Sequence, residues 1–80
     1  MLLSLIFFVL YTNIAFAQIS NELKAKAEHG DSQAQFNLGH IYAEGKSVKQ
    51  DWAKAKFWWE KAAEQGDTKA KEMLEKLKLQ

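Results

Sequence analysis

The sequence predicts an all-α fold, in which antiparallel helix–turn–helix repeats form a short α-solenoid fragment. Three observations support this prediction: a segment that recurs at an offset of 36 residues, apolar residues at helical spacing, and glycine–aspartate pairs between the apolar stretches. A fixed offset of about 20 to 50 residues is typical of stacked helical or mixed units. No run of residues alternates between apolar and polar for long enough to predict a strand.

The composition limits what the chain can do. Its 80 residues have room for one small domain. The absence of cysteine excludes a disulfide framework, a thiolate zinc site and a cysteine nucleophile. The formal net charge of +1 gives no electrostatic reason to bind nucleic acid, so we expect no nucleic-acid partner.

Residues 1–17 differ from the rest of the chain, because they are mostly apolar and carry no charged side chain. A short apolar stretch followed by Ala15-Phe16-Ala17 is typical of a signal peptide that is cleaved after Ala17. It is short for a membrane span, which needs about 20 apolar residues. We therefore predict a signal peptide, a domain at 18–80, secretion or a periplasmic location, and no stable membrane span after cleavage. The alternative is an uncleaved segment that anchors the chain in a membrane.

The internal repeat is clearest around Gly30 and Gly66. The segments 27–34 and 63–70 share their Ala, Glu, Gly, Asp and Ala positions. Each glycine follows a helical stretch, where a left-handed C-terminal cap favours a residue without a Cβ atom. The aspartate after each glycine can cap the next helix with its carboxylate. Each glycine–aspartate pair is therefore predicted to end one helix and begin the next.

Three apolar stripes define the predicted longer helices, which begin after Asp31, Asp51 and Asp67. Their members recur with the spacing of 3.6 residues per helical turn. They are Ala34, Leu38, Ile41 and Tyr42 in the first stripe, Trp52, Ala55, Trp58, Trp59 and Ala62 in the second, and Ala70, Met73, Leu74 and Leu77 in the third.

These stripes predict the organisation of the domain. A leading helix is expected at about 20–29, a complete repeat at about 31–66 and a terminating helix at about 67–79. Within the complete repeat, Gly45 is expected to end the first helix and Val48 to pack from the loop into the core. The domain would then hold one complete helical hairpin with part of a unit on either side.

Small residues, aromatic residues and glycines recur at fixed spacing across these predicted helices and form one long sequence motif. The residues that carry it are Ala34, Gln35, Leu38, Gly39, Tyr42, Gly45, Val48, Asp51, Lys54, Ala55, Trp58, Trp59, Lys61, Ala62, Ala63, Gln65 and Gly66. Over residues 27–77 the motif resembles the Sel-1-like repeat family, a relative of the tetratricopeptide repeats. The sequence departs from the family pattern at Ser47, where a second loop glycine is usual, and at Trp59, where a tyrosine is usual.

The resemblance implies roles for individual residues. Gly39 and Ala55 would let two helix backbones approach closely, and Tyr42 and Trp58 would fill the space between helices. Glu75 stands where Gly39 stood in the complete unit, which suits a helix with nothing packed beyond it. The last helix is therefore predicted to be a terminating cap. For function, the resemblance implies protein–protein interaction.

The sequence offers little for catalysis or metal binding. His29 and Asp31 flank a helix boundary whose equivalent, Gln65-Gly66-Asp67, lacks a histidine, so the position is interpreted as a cap. His40 and Glu44 have the spacing of a ligand pair but no third ligand nearby, so we expect a solvated pair. We predict no catalytic residue, no metal site and no cofactor. The alternative is a periplasmic enzyme or ligand-binding protein that acts on cell-wall material.

Phe57 is the most unexpected residue of the second long helix, because it lies on an otherwise polar face. It is about 200° from Ala55 around the helix and is flanked by Lys54, Glu60 and Lys61. An aromatic side chain with a lysine rim can anchor a protein or peptide partner. We predict Phe57, Lys54 and Lys61 as candidate partner contacts, with the partner unidentified.

Phe36 lies in the same way on the first long helix, about 200° from Ala34. A helix in a repeat stack is buried on two sides, so Phe36 is expected to pack on Leu23 and Ala27 of the leading helix. Exposure as a further partner contact is the other interpretation.

The small size of the domain also predicts association. A domain of about 60 residues buries only about 60% of its unfolded surface and is marginally stable, and repeat arrays usually need about three units. We therefore expect self-association or docking on a larger partner. A truncated array fragment that does little alone is the third hypothesis.

Overall fold

A computed structural model describes residues 19–79. Four helices form in this order: α1 (Asn21–Glu28), α2 (Ser32–Glu44), α3 (Trp52–Glu64) and α4 (Thr68–Lys78). No strand occurs within 19–79, which confirms the predicted all-α class. The predicted signal peptide and its cleavage site at Ala17 lie outside the described residues.

Aspartate side chains begin the three longer helices. Asp31, Asp51 and Asp67 each accept a hydrogen bond of 3.0 Å from the backbone N–H three residues further along the chain. Each bond satisfies one of the N–H groups that the first turn of a helix leaves without an intrahelical partner. The helix starts are thus specified locally, by the same residue type in all three cases.

Glycines form the turns between helices. Gly30 and Gly66 have φ angles of 96° and 94°, in the region that other residues rarely adopt. Gly45 ends α2, and a Cβ atom there would lie 2.6 Å from the Cβ atom of Gln50. The Gln50 side chain donates to the carbonyl oxygen of Ala43 at 2.8 Å, which ties the α2–α3 loop to α2.

The closest approach between helices is that of α2 and α3 at Gly39. A Cβ atom at Gly39 would lie 2.6 Å from two atoms of the Trp59 ring and 3.0 Å from the carbonyl oxygen of Ala55. Trp59 is fully buried, and its Nε1 donates to the carbonyl oxygen of Phe36 at 3.2 Å. The absent glycine side chain therefore makes the space that the indole fills.

The core consists of two clusters. The N-terminal cluster has Ala27, Ala34 and Leu38 at its centre, with Ile19, Leu23, Tyr42 and Trp58 packed against it. The C-terminal cluster has Ala43, Ala55, Trp59, Ala62 and Ala70 at its centre, with Phe36, Met73, Leu74 and Leu77 among the side chains packed against it. Helix α3 contributes to both clusters and so joins the two halves of the domain.

A buried glutamine ties three helices together between the clusters. Gln35 is 4% exposed, and its Nε2 donates to the carbonyl oxygen of Ala27 at 2.9 Å. Its Oε1 accepts a hydrogen bond of 2.8 Å from Gln65, the residue after α3. Because both polar atoms of the amide have partners, its burial leaves no unsatisfied group.

Two side chains differ from the expected packing. Trp52 belongs to the predicted apolar stripe of α3 but is 46% exposed, because no helix of residues 19–79 covers the start of α3 on that side. Phe36 packs against the C-terminal cluster instead of Leu23 and Ala27, since α2 turns it toward α3. No helix within 19–79 is long and apolar enough to cross a bilayer.

Candidate partner-binding surface

The outer face of α3 carries an aromatic and basic surface next to the N-terminal cluster. We define the Phe57 surface as Tyr42, Lys54, Phe57, Trp58 and Lys61. Four of these residues lie at positions 54, 57, 58 and 61, which a period of 3.6 residues places on one side of the helix. Tyr42 of α2 extends the surface, since the Lys54 Nζ lies over its ring.

Phe57 is held in place although it is 49% exposed. Its ring stands edge-on to Trp58, with ring centroids 5.1 Å apart and an interplanar angle of 82°. The Lys61 Nζ also lies over the Phe57 ring, 5.5 Å from its centroid. Both arrangements are favourable for an aromatic ring, whose face is electron-rich and whose edge is positive. The phenyl ring is thus oriented before any partner arrives.

The base of the surface is anchored in the core. Trp58 and Tyr42 pack against the N-terminal cluster, and the Lys54 Nζ lies 5.3 Å from the Tyr42 ring centroid. Lys54 and Lys61 are exposed and place a positive charge at each end of the surface. Chemically, the arrangement can receive an apolar group on Phe57 and a carboxylate at either lysine.

Phe36 does not join this surface. It is half-buried against the C-terminal cluster, and its ring stacks on His40 with centroids 6.1 Å apart. Of the four predicted contact residues, the structure therefore brings together Lys54, Phe57 and Lys61 on one face of α3 and places Phe36 elsewhere.

The residues considered for metal binding or catalysis form local pairs. His29 Nδ1 lies 2.6 Å from the carbonyl oxygen of Ala25 at the end of α1. His40 Nε2 lies 2.8 Å from Glu44 Oε1 on the exposed side of α2. Within residues 19–79, no three or more His, Cys, Asp or Glu residues cluster closely enough to hold a metal ion.

A second surface, which the sequence did not predict, lies between α3 and α4. We call it the open groove; its volume is about 640 Å³. Its walls are Trp52, Ala53, Lys56 and Glu60 of α3, and Lys71, Leu74, Glu75, Leu77 and Lys78 of α4. The sequence signal for this groove is Trp52 opposite the amphipathic last helix. The apolar spacing instead predicts that Trp52 lies in the core.

Residues 32–67 match the family model described as Sel1 repeat, and this range covers α2, the α2–α3 loop, α3 and the turn into α4. No curated protein and no solved structure matches the chain.

Proposed function

We propose that this protein, in which residues 32–67 are a Sel1 repeat, is a small exported adaptor that binds a protein or peptide partner through its Phe57 surface. Sel1 repeats generally mediate protein–protein interaction. The adaptor role, the export and the absence of catalysis are parts of the proposal. Export is supported by the signal-peptide pattern of residues 1–17.

The exposure of Phe57 is the observation that carries the proposal. A large apolar side chain that remains 49% exposed on a polar helix face contributes little to the fold of the free protein. A phenylalanine whose ring is already fixed by Trp58 and Lys61 loses little conformational entropy when a partner covers it. Such preorganised aromatic side chains carry a large share of the binding free energy at protein interfaces.

The charges on the surface indicate the chemistry of the partner. Lys54 and Lys61 are seven residues apart, which places their backbones about 10 Å from each other along α3. A partner segment that offers an apolar side chain to Phe57 and acidic residues on either side would pair with both ammonium groups. We therefore expect the partner to present an acidic segment with an apolar residue at its centre.

Affinity capture from the native host tests the binding surface with a matched pair of variants. Phe57→Ala should lose the captured partner or weaken its affinity by about tenfold or more. Trp52→Ala is the control, because Trp52 lies on the same helix with a similar exposure of 46% but outside the Phe57 surface. Identical partner profiles for the wild type and Phe57→Ala would contradict the assignment of this surface.

Export is tested separately by fractionation and N-terminal mass analysis of the protein that the host produces. The expected result is a mature chain that begins at Gln18 in the periplasmic or extracellular fraction. An intact N-terminus in the membrane fraction would instead indicate an uncleaved anchor.

A further inference from the structure

We infer that the open groove between α3 and α4 binds a second copy of this chain, so that the protein is a two-fold symmetric dimer. This inference does not depend on the Phe57 surface, which lies on another part of α3. Trp52 in the open groove and Phe57 are about 140° apart around the helix axis. Dimerisation and partner binding can therefore succeed or fail independently.

The internal repeat shows that the open groove is shaped for a helix. In the first half of the domain, Trp58 of α3 packs against the cluster of Ala27, Ala34 and Leu38 that α1 and α2 form. The residue 36 positions after Leu38 is Leu74, in the wall of the open groove. Leu38 is 1% exposed, whereas Leu74 is only half-buried. The open groove between α3 and α4 thus repeats the groove between α1 and α2. In the described part of the chain, however, no helix covers it.

The side chains of α4 exclude a helix seated as deeply as α3 is on α2. Glu75 occupies the position of Gly39, where even a Cβ atom would meet the Trp59 ring at 2.6 Å. Lys78 likewise occupies the position of Tyr42. An occupant of the open groove must therefore lie further out and pair with charged side chains.

The charges on the two walls are complementary to each other. Helices α3 and α4 run in opposite directions from the turn at Gly66. Glu60 and Lys71 are six and five residues from that glycine, and Lys56 and Glu75 are ten and nine residues from it. Because each residue advances a helix by about 1.5 Å, each acid stands nearly level with a base on the opposite wall.

This pattern favours a second copy over a partner of a single charge. A copy related by a two-fold axis parallel to the helices places its α3 over α4 at the same level. Its Lys56 then faces Glu75, its Glu60 faces Lys71, and both pairings occur twice. Leu74 of each copy, eight residues from Gly66, lies between the charged levels. Trp52 and the half-buried Leu77 of each copy, 14 and 11 residues from Gly66, supply the apolar contact beyond them. A uniformly charged partner would leave either the lysines or the glutamates of the groove opposed by like charge.

Sedimentation of the purified protein, from the low to the high micromolar range, measures the association directly. The expected result is a reversible monomer–dimer equilibrium. Trp52→Ala should raise the dimer dissociation constant by about tenfold or more, because the symmetric interface loses the indole twice. Phe57→Ala, the matched control on the same helix, should leave the dissociation constant unchanged.

A charge-swap series tests the symmetric geometry. Lys56→Glu and Glu75→Lys should each weaken the dimer, and the double variant should restore it, because both changes exchange the two charges of one predicted pair. Both side chains are exposed, and the ion pairs that they form with Glu60 and Lys78 on their own helices are surface pairs that contribute little. These variants are therefore expected to keep the fold even where Trp52→Ala disturbs it.

Three outcomes would overturn the inference. One is a monomer at every concentration, including the case in which another protein binds the monomer in a Trp52-dependent manner. The second is a dimer that tolerates Trp52→Ala, Lys56→Glu and Glu75→Lys unchanged. The third is a dimer that dissociates on Phe57→Ala, which would place the interface on the other face of α3.

Discussion

The domain contains two equivalent grooves, one between α1 and α2 and the open groove between α3 and α4. Only the first is covered by a further helix. Helix α3 covers the groove between α1 and α2, and the Ala27–Ala34–Leu38 cluster beneath it is almost inaccessible to solvent. In the open groove, the residues 36 positions later are Ala63, Ala70 and Leu74, of which only Ala70 is buried. These three residue types are identical in the two grooves, so the difference in their burial comes from the helix that covers the first groove.

The side chains around the two grooves differ in a way that matches their burial: they are uncharged in the covered groove and charged in the open groove. In α2, the residues that meet α3 are small, amide or aromatic: Gly39, Gln35 and Tyr42. In α4, the equivalent positions hold Glu75, Lys71 and Lys78. Charged side chains are costly when buried without partners but are well solvated on an open face. The comparison shows that one helical framework can be buried as core or left as an open groove.

The largest difference in stability loss is expected between Leu38→Ala in the covered groove and Leu74→Ala in the open groove. Leu38 is 1% exposed, so its truncation should lower the free energy of unfolding by about 2–5 kcal/mol. That loss is comparable to the total stability of a domain of this size. Leu74 is half-buried, and its truncation should cost roughly half as much. Chemical denaturation at one fixed protein concentration measures both, and equal losses would refute the contrast between the grooves.

The next contrast is between Gly39→Ala and Glu75→Ala. The new methyl group at Gly39 would lie 2.6 Å from the Trp59 ring, so the indole must move, at a cost of about 1–3 kcal/mol. At the exposed Glu75 the same alanine should change the stability of the monomer, measured at low micromolar concentration, by less than about 0.5 kcal/mol. Denaturation midpoints check this pair, and a change in the tryptophan fluorescence of Gly39→Ala with Trp52 and Trp58 replaced by phenylalanine would report the movement of Trp59. An unshifted Gly39→Ala midpoint would contradict the close approach.

A third contrast concerns the buried amide. Gln35→Met keeps the volume but removes the hydrogen bonds to Ala27 and Gln65, so stability should fall by about 1–2 kcal/mol. Lys71→Met, at the equivalent position of α4, removes no hydrogen bond or ion pair that the structure contains and should have little effect. The hydrogen bond from Gln35 to the carbonyl oxygen of Ala27 links α2 to α1. Amide hydrogens of α1 should therefore exchange faster in Gln35→Met than in the wild type. Unchanged exchange in α1 would show that Gln35 does not hold it.

The sequence predicts the helices of this domain better than it predicts their surfaces. The caps at Asp31, Asp51 and Asp67 are local, so a single sequence is enough to locate them. Apolar spacing identifies which side of α3 faces inward but not whether another helix covers it. Trp52 therefore lies on the predicted stripe and is nevertheless exposed. Whether a stripe becomes core or groove depends on tertiary contacts that periodicity does not encode.

Phe36 and Phe57 show that helical periodicity also does not distinguish candidate partner contacts from packed side chains. Both lie about 200° from an inner alanine of their helix. The sequence predicts Phe57 as a partner contact, and it predicts for Phe36 either packing on the leading helix or a further partner contact. Phe57 stays exposed because it packs against neither cluster and only its neighbours Trp58 and Tyr42 reach the core. Phe36 is drawn against the C-terminal cluster beside Trp59, whose indole donates to its carbonyl oxygen. The helical angle alone could not separate a partner contact from a packed side chain.

The smallest expected loss of stability comes from removing a helix cap, and it should be the same at the start of α2 and of α4. Asp31 and Asp67 make the same capping bond of 3.0 Å at the start of α2 and α4, and neither bond involves a groove. Asp31→Ala and Asp67→Ala should therefore each lower stability by about 1 kcal/mol, within a few tenths of one another. Denaturation of the two variants, with Asp→Asn at each position as the cap-preserving control, measures this equality. If Asp67→Ala proved far less costly, α4 would be only weakly coupled to the fold, and the open groove would lack the rigid wall that a dimer needs.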